Sequence, residues 1–183
     1  MSDPSPQLVE QIVRRVLAEM SAAAPAPTPA APPPKRIKPS VLIKTLGLVV
    51  ERPDAKVETA LASAARSGIV FAPFGDSDCP ICNARDMCRA LAAGELAGGV
   101  IIDKHAAGAM ALAGKIRGVR PVQGLCAAAV EAGLRHFDAN VLVIGHATVS
   151  MYEIRSMIDR FSTGRRMDRP RTKLLEAIEE LES

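Results

Sequence analysis

An α/β fold, a doubly wound parallel sheet of about five strands with helices on both faces, is the architecture this sequence predicts. Three observations predict it. Short runs rich in β-branched residues alternate with helical stretches through residues 40–183. The run Asn140-Val141-Leu142-Val143-Ile144 is almost continuously apolar, as a strand buried on both faces must be. The N-terminal part differs in composition: half of the 14 prolines fall in residues 25–39, an Ala/Pro/Thr stretch without apolar periodicity. The 183-residue chain therefore divides into residues 1–24, a linker over 25–39, and one folding unit over 40–183. That unit is long enough to bury a core without disulfides or metal.

Within it, residues 41–50 contain the first strand, and Asp54 caps a helix carrying Val57, Leu61, Ala64 and Ala65 that Gly68 ends. Ile69-Val70-Phe71-Ala72 is the second strand, residues 83–93 a helix, and Val100-Ile101-Ile102 the third strand. Residues 106–115 form a helix, 120–123 a short fourth strand, 126–132 a helix and 140–144 the fifth strand. Ser150 opens a helix over 151–161, and Pro170 opens a last one ending near Leu181. This order implies right-handed βαβ units in a Rossmann-like sheet. Ligands of such sheets sit outside the carboxyl ends of the strands, which favours the residues just after Ile102 and Ile144.

Ahead of the linker, Leu8, Val9, Ile12, Val13, Val16, Leu17 and Met20 form one stripe, with Glu10, Gln11, Arg14, Arg15 and Glu19 opposite. This is a separate N-terminal amphipathic helix, with Ser5 and Pro6 as cap and first helical position. A helix of about 15 residues is marginal alone in water, so its apolar face should dock onto something. A docking peptide, a helix folding back on its own domain and a coiled-coil handle all satisfy that requirement.

Charge narrows the ligand. The net charge is only +3, and the basic excess is local: residues 155–173 carry seven Arg or Lys against Asp159 and Asp168. Five aromatic residues and no Trp leave little on which bases could stack, so a small anion fits better than nucleic acid. No apolar run approaches a membrane span and no signal peptide is recognisable, so the expected location is the cytoplasm, with all four cysteines reduced. No cofactor is called for.

Asp103, Lys104 and His105 follow a buried strand and precede the small-residue helix start Ala106-Ala107-Gly108, whose backbone N–H groups suit an anion or oxyanion. The plain alternative is that Asp103 only caps that helix. His136 precedes the fifth strand and His146 follows it directly; a lone histidine in either place is as readily structural. Arg165 and Arg169 in Gly164-Arg165-Arg166-Met167-Asp168-Arg169 suit a phosphate clamp, since a guanidinium donates a planar pair of hydrogen bonds, though a solvated basic face accounts for them too. Cys79, Cys82, Cys88 and Cys126 include a single Cys-x-x-Cys step with no second pair, so buried free thiols outweigh a metal site.

From Asp78 onward, and most strongly over Gly98-Gly99-Val100-Ile101-Ile102-Asp103 and His136-Phe137-Asp138-Ala139-Asn140-Val141-Leu142-Val143-Ile144-Gly145, the chain resembles the type B ribose-5-phosphate isomerase and galactose-6-phosphate isomerase family. The resemblance implies an aldose–ketose isomerase of a phosphorylated sugar, acting through an enediolate in a homodimer whose sites borrow residues across the interface. It places Asp103 where the family has its catalytic Cys, His105 where it has Thr, and Gly108 on a retained glycine. It puts Ala106 where the family has glycine, a methyl that would obstruct backbone approach to the oxyanion. It makes His136 the ring-opening group, assigns Arg165 and Arg169 to phosphate, and matches Arg120 to a further arginine. The family's first strand ends in an Asp-His pair that handles sugar hydroxyls; the run Val41-Leu42-Ile43-Lys44-Thr45-Leu46-Gly47 has none, leaving Lys44 and Thr45 for that place. Residues 1–24 resemble the encapsulation peptides that recruit enzymes into bacterial microcompartments, implying a shell or cargo partner. With the catalytic loop rewritten, two other readings stand: an altered homologue acting on another small phosphorylated or aldehyde ligand, and a non-catalytic cargo or scaffold protein.

Overall fold

The computed structural model describes residues 45–182 apart from residue 76 and residues 165–171. The N-terminal helix, the linker, Lys44, Pro170, Arg165 and Arg169 lie outside the described residues. The elements alternate as β1 (Thr45–Val50), α1 (Ala55–Arg66), β2 (Val70–Pro73), α2 (Pro80–Ala92), β3 (Gly98–Asp103), α3 (Ala106–Ala113), β4 (Pro121–Gln123), α4 (Ala127–Phe137), β5 (Val141–Gly145), α5 (Met151–Gly164) and α6 (Lys173–Leu181). The five strands form one parallel sheet in the order β2-β1-β3-β5-β4.

Side chains alternate across this sheet and both faces are covered. On one face Leu46, Val100, Ile102, Leu142 and Ile144 pack with Val57 and Ala60 of α1, Val130 and Leu134 of α4, and Ile154, Met157, Ile158 and Phe161 of α5. On the other, Val49, Ile101, Val141 and Val143 pack with Met87, Cys88 and Leu91 of α2 and with Ala106, Ala109 and Ala113 of α3. A strand contributing to both layers must be apolar throughout, which is why β3 and β5 lack the polar alternation of an exposed sheet.

Local signals set the helix ends. Asp54 caps α1 by accepting a hydrogen bond from Val57 N at 3.0 Å, and Gly68 takes a φ of +88° just beyond it. Ser150 and Glu153 form a reciprocal pair at the start of α5. Several helix boundaries differ from expectation. Helix α4 runs on to Phe137 because Asp138, at φ +50°, supplies its left-handed cap. Helix α5 continues to Gly164, and α6 begins at Lys173 under a Thr172 cap, not at Pro170.

The cysteine expectation also needs correcting. Cys79 caps α2, which begins at Pro80 instead of residue 83, and Cys82 lies one turn further on. That i, i+3 placement brings their sulfurs together, and the two form a disulfide with a Cα–Cα distance of 5.2 Å. Cys88 is buried and Cys126 exposed. Among the described residues no group of three or more His, Cys, Asp or Glu is placed to hold a metal, and no helix is long and apolar enough to cross a membrane.

Two outcomes follow from this packing. A Cβ on Gly133 would lie 2.5 Å from Val122 Cγ2 and 2.9 Å from Val122 Cβ, whereas one on Gly108 would meet nothing within 4 Å. Gly133→Ala should therefore lower stability by about 1–3 kcal/mol in urea unfolding, while Gly108→Ala should raise it by up to about 1 kcal/mol. Burial pushes the Cys88 thiol up to about 11. A thiol reagent should accordingly modify one cysteine, Cys126, in the native protein without reductant, and reach Cys88 only on unfolding. Three fast thiols would rule out the disulfide.

Candidate active site

The pairing of β1 with β3 brings two carboxylates together. Val50 is in register with Ile102, and the Glu51 N–H donates to the Ile102 carbonyl at 2.8 Å, so Glu51 leaves the sheet beside Asp103. Both line a cleft of about 340 Å³ at the carboxyl end of the sheet. Its walls are Val49 and Ile101 from the strands, Pro80, Ile81 and Ala84 from α2, and Gly108, Ala109 and Leu112 from α3. These walls are largely apolar.

The Glu51 carboxyl is held above the usual glutamate range, chiefly by its hydrogen bond with Asp103, then by burial and by the Asp103 charge; Arg52 opposes the shift. The Arg52 guanidinium lies 3.9 Å from Glu51 and is 84% exposed. Its backbone is strained, with φ +48° immediately before Pro53. The chain must turn within Glu51-Arg52-Pro53 to deliver Asp54 to the start of α1, and Arg52 takes that turn without a glycine.

These positions correct the reading of the first strand. Lys44 precedes β1 in the chain and Thr45 is its first residue, at the amino edge. The residues that follow its carboxyl end are Glu51 and Arg52, which stand where the resemblance has Asp-His. The signal was present in the sequence: Pro53-Asp54 marks a helix start, so the strand had to end just before it.

Asp103 is the last residue of β3 and does not cap α3. The capping position belongs to His105, which is exposed and makes no side-chain cap bond. The first N–H groups of α3 consequently have no side-chain acceptor at the cap and adjoin the end of β3. The Ala106 methyl does not stand over them: Ala106 is buried in the α2–α3 core layer, against Gly145, and is not part of the cleft wall.

The other expected residues are elsewhere. His136 is exposed in the last turn of α4, with its carbonyl accepting from Thr172 Oγ1. Arg120 precedes β4; its Nε donates to the Asp138 carbonyl at 3.0 Å and an Nη to the Asp138 carboxylate at 2.8 Å. Buried Asn140 accepts from Arg120 N and donates to the Gly118 carbonyl, each at 2.7 Å. His136 and Arg120 thus lie at the amino edge, separated from Asp103 by the length of a strand, roughly 13 Å for four steps of about 3.3 Å. One chain does not bring them together with Asp103. His146 is buried behind the end of β5, with Nδ1 3.4 Å from Asp54 Oδ2 and no hydrogen bond at either ring nitrogen among the described residues.

A family model described as Ribose/Galactose Isomerase matches residues 56–178, more than half of the chain. Similar solved structures include ribose-5-phosphate isomerase B of Clostridium thermocellum, 18% identical with a TM-score of 0.67 over 75% of this chain and 97% of that one. The type B ribose 5-phosphate isomerase of Trypanosoma brucei is 18% identical, with a TM-score of 0.65 over 76% and 99%. That of Leishmania infantum is 22% identical, with a TM-score of 0.60 over 75% and 98%. At these identities the likeness is one of fold. No curated protein matches the chain in sequence. The family match, covering the domain from α1 into α6 and agreeing with the fold, shows that the chain belongs to the ribose/galactose isomerase family.

Proposed function

We propose that this chain is a sugar-phosphate isomerase that interconverts an aldose and a ketose through an enediolate, with Asp103 as the base. The observation that carries this reading is the position of Asp103. It stands at the carboxyl end of β3, in a cleft with apolar walls, beside the N-terminus of α3. A carboxylate removes a proton alpha to a carbonyl when it is held out of bulk water, and the first N–H groups of α3 would stabilise the oxygen on which charge develops. Gly108 in the cleft wall leaves room for that oxygen.

Ring opening by His136 and phosphate binding by Arg165 and Arg169 complete the proposed site. Since His136 belongs to the opposite edge of its own sheet, the proposal has a second copy supply it, in a homodimer. The amphipathic helix α6 supports such a dimer: it buries none of its residues, and Leu174 is 50% exposed. Residues 1–24 would act as an encapsulation peptide, placing the enzyme in the cytoplasm within a bacterial microcompartment.

Asp103→Asn keeps the shape but cannot take the proton. It should lower isomerase activity roughly 10²–10⁴-fold in an NMR assay on a panel of aldose phosphates beginning with ribose 5-phosphate, while inorganic phosphate still binds. Asp103→Cys restores a thiol base and should retain activity. Wild type and Asp103→Cys inert on the whole panel would replace this reading with the cargo or scaffold protein.

A chain lacking residues 1–24 should remain dimeric by light scattering and unfold at an unchanged temperature, yet no longer co-purify with shell proteins. A large loss of stability would show that the helix packs on its own domain.

A further inference from the structure

We infer that Glu51 is a second catalytic group of this site, an acid that shares a proton with Asp103 and delivers it to the carbonyl oxygen while Asp103 takes the proton from carbon. The inference deepens the isomerase reading and rests on it.

The geometry is fixed by the backbone. Parallel pairing of β1 with β3 ends with Glu51 N bonded to the Ile102 carbonyl, so the two side chains leave adjacent strands into one cleft. Among the residues lining that cleft, Glu51 and Asp103 are the titratable groups; α2 contributes Pro80, Ile81 and Ala84, and α3 contributes Gly108, Ala109 and Leu112. Arg52 faces the pair from the β1–α1 turn, mostly in solvent. Lys104 and His105, at the end of β3, are exposed and outside the cleft wall. Two carboxyls side by side against apolar walls do not ionise together easily, and a proton held between them satisfies both. The shared hydrogen bond that raises Glu51 agrees with this placement.

The proton count closes. With an open-chain aldose phosphate, the Asp103 carboxylate takes the proton from C2 as the Glu51 acid gives its proton to the C1 oxygen, and the electrons of the C2–H bond become the C1–C2 double bond, so that the enediolate of the proposed reaction is carried as its protonated enediol. Asp103 then returns its proton to C1, and the Glu51 carboxylate takes the proton of the C2 hydroxyl as the C2 carbonyl forms. The pair holds one proton at every stage. No oxidant, reductant or metal is consumed.

The test uses the full chain labelled with ¹³C at the glutamate carboxyl carbons, with Glu51→Gln to assign the Glu51 signal. Glu51 should titrate above the ordinary glutamate range, and its midpoint should fall back toward that range in Asp103→Asn. With ribose 5-phosphate as probe, Glu51→Gln should lower kcat on the order of 10²-fold with little change in KM. It should also abolish the fall of kcat/KM on the alkaline side, where wild type loses the Glu51 proton. Glu51→Asp, which keeps an acid, should recover part of both. An ordinary titration of Glu51, or an unchanged kcat and pH profile in Glu51→Gln, would overturn the inference while leaving Asp103 as base. A wild type inert on all aldose phosphates whose Glu51 still titrates high, and falls back in Asp103→Asn, would remove the isomerisation and support the proton-sharing pair.

Discussion

The cleft depends on a slot in the sheet. Gly47 and Gly99 face each other across β1 and β3, and a Cβ on either would lie 2.6 Å from the Met87 side chain, which fills the space both leave open. Met87 is wholly buried there, and it seats α2 against the two central strands. The start of that helix then brings Pro80, Ile81 and Ala84 to the carboxyl edge as one wall of the cleft. Methionine suits the slot, because an unbranched thioether follows an irregular gap that a β-branched side chain would not. A side chain at 47 or 99 would require Met87 to leave this slot or repack within it.

Polar groups at the two edges of the sheet are treated differently. At the amino edge they are paired: Asn140 ties the Gly118 and Arg120 backbones, Arg120 is spent on Asp138, and Glu182 accepts from Gly118 N at 3.1 Å. Arg120 therefore works as a strut within its own chain, whatever its counterpart does in other members of the family. At the carboxyl edge two carboxylates converge, α3 lacks a side-chain cap, and Arg52 holds a left-handed backbone that costs of order 1–3 kcal/mol. One of the two left-handed non-glycine residues among those described, Arg52, thus adjoins the proposed site, while the other, Asp138, caps α4 at the amino edge.

The fold was legible because its signals are redundant. Strands β2, β3 and β5 were found from apolar runs, Asp54 and Ser150 marked helix starts by their hydrogen-bonding chemistry, and Gly68 marked a helix end by its left-handed backbone. Asp103 was legible as well, since a charged residue directly after Val100-Ile101-Ile102 has no place in the core. Glu51 was missed because the first apolar run is long: locating the strand only somewhere within residues 41–50 left Lys44 and Thr45 for the site and did not mark its carboxyl end at Val50. The separation of His136 from Asp103 was equally hidden, since it follows from where α4 ends relative to β5, and that end is set by a left-handed Asp138 that no residue-type rule demands. The Cys79–Cys82 pairing escaped for a similar reason: the helix starts three residues earlier than its apolar pattern, and the earlier start makes the two cysteines neighbours.

The rewritten loop is coherent as chemistry. A thiol is a competent base partly exposed, because its own pKa lies near neutrality; a carboxylate in water is too weak and gains strength only when desolvated. Asp103 in the place the resemblance gives to a catalytic Cys would thus require a drier site, and the walls here include Val49, Ile101, Ala109 and Leu112. Desolvation of one carboxylate beside another would be prohibitive if both were charged, and the role proposed for Glu51 as the acid would relieve that conflict. The Ala106 methyl is absorbed by the core beside Gly145 and does not line the cleft, so an alanine where the resemblance has glycine would not by itself close off the first N–H groups of α3. On the proposed reading the residues at 51, 103 and 106 agree with one another: an acid beside a carboxylate base, and a methyl taken up by the core instead of the cleft.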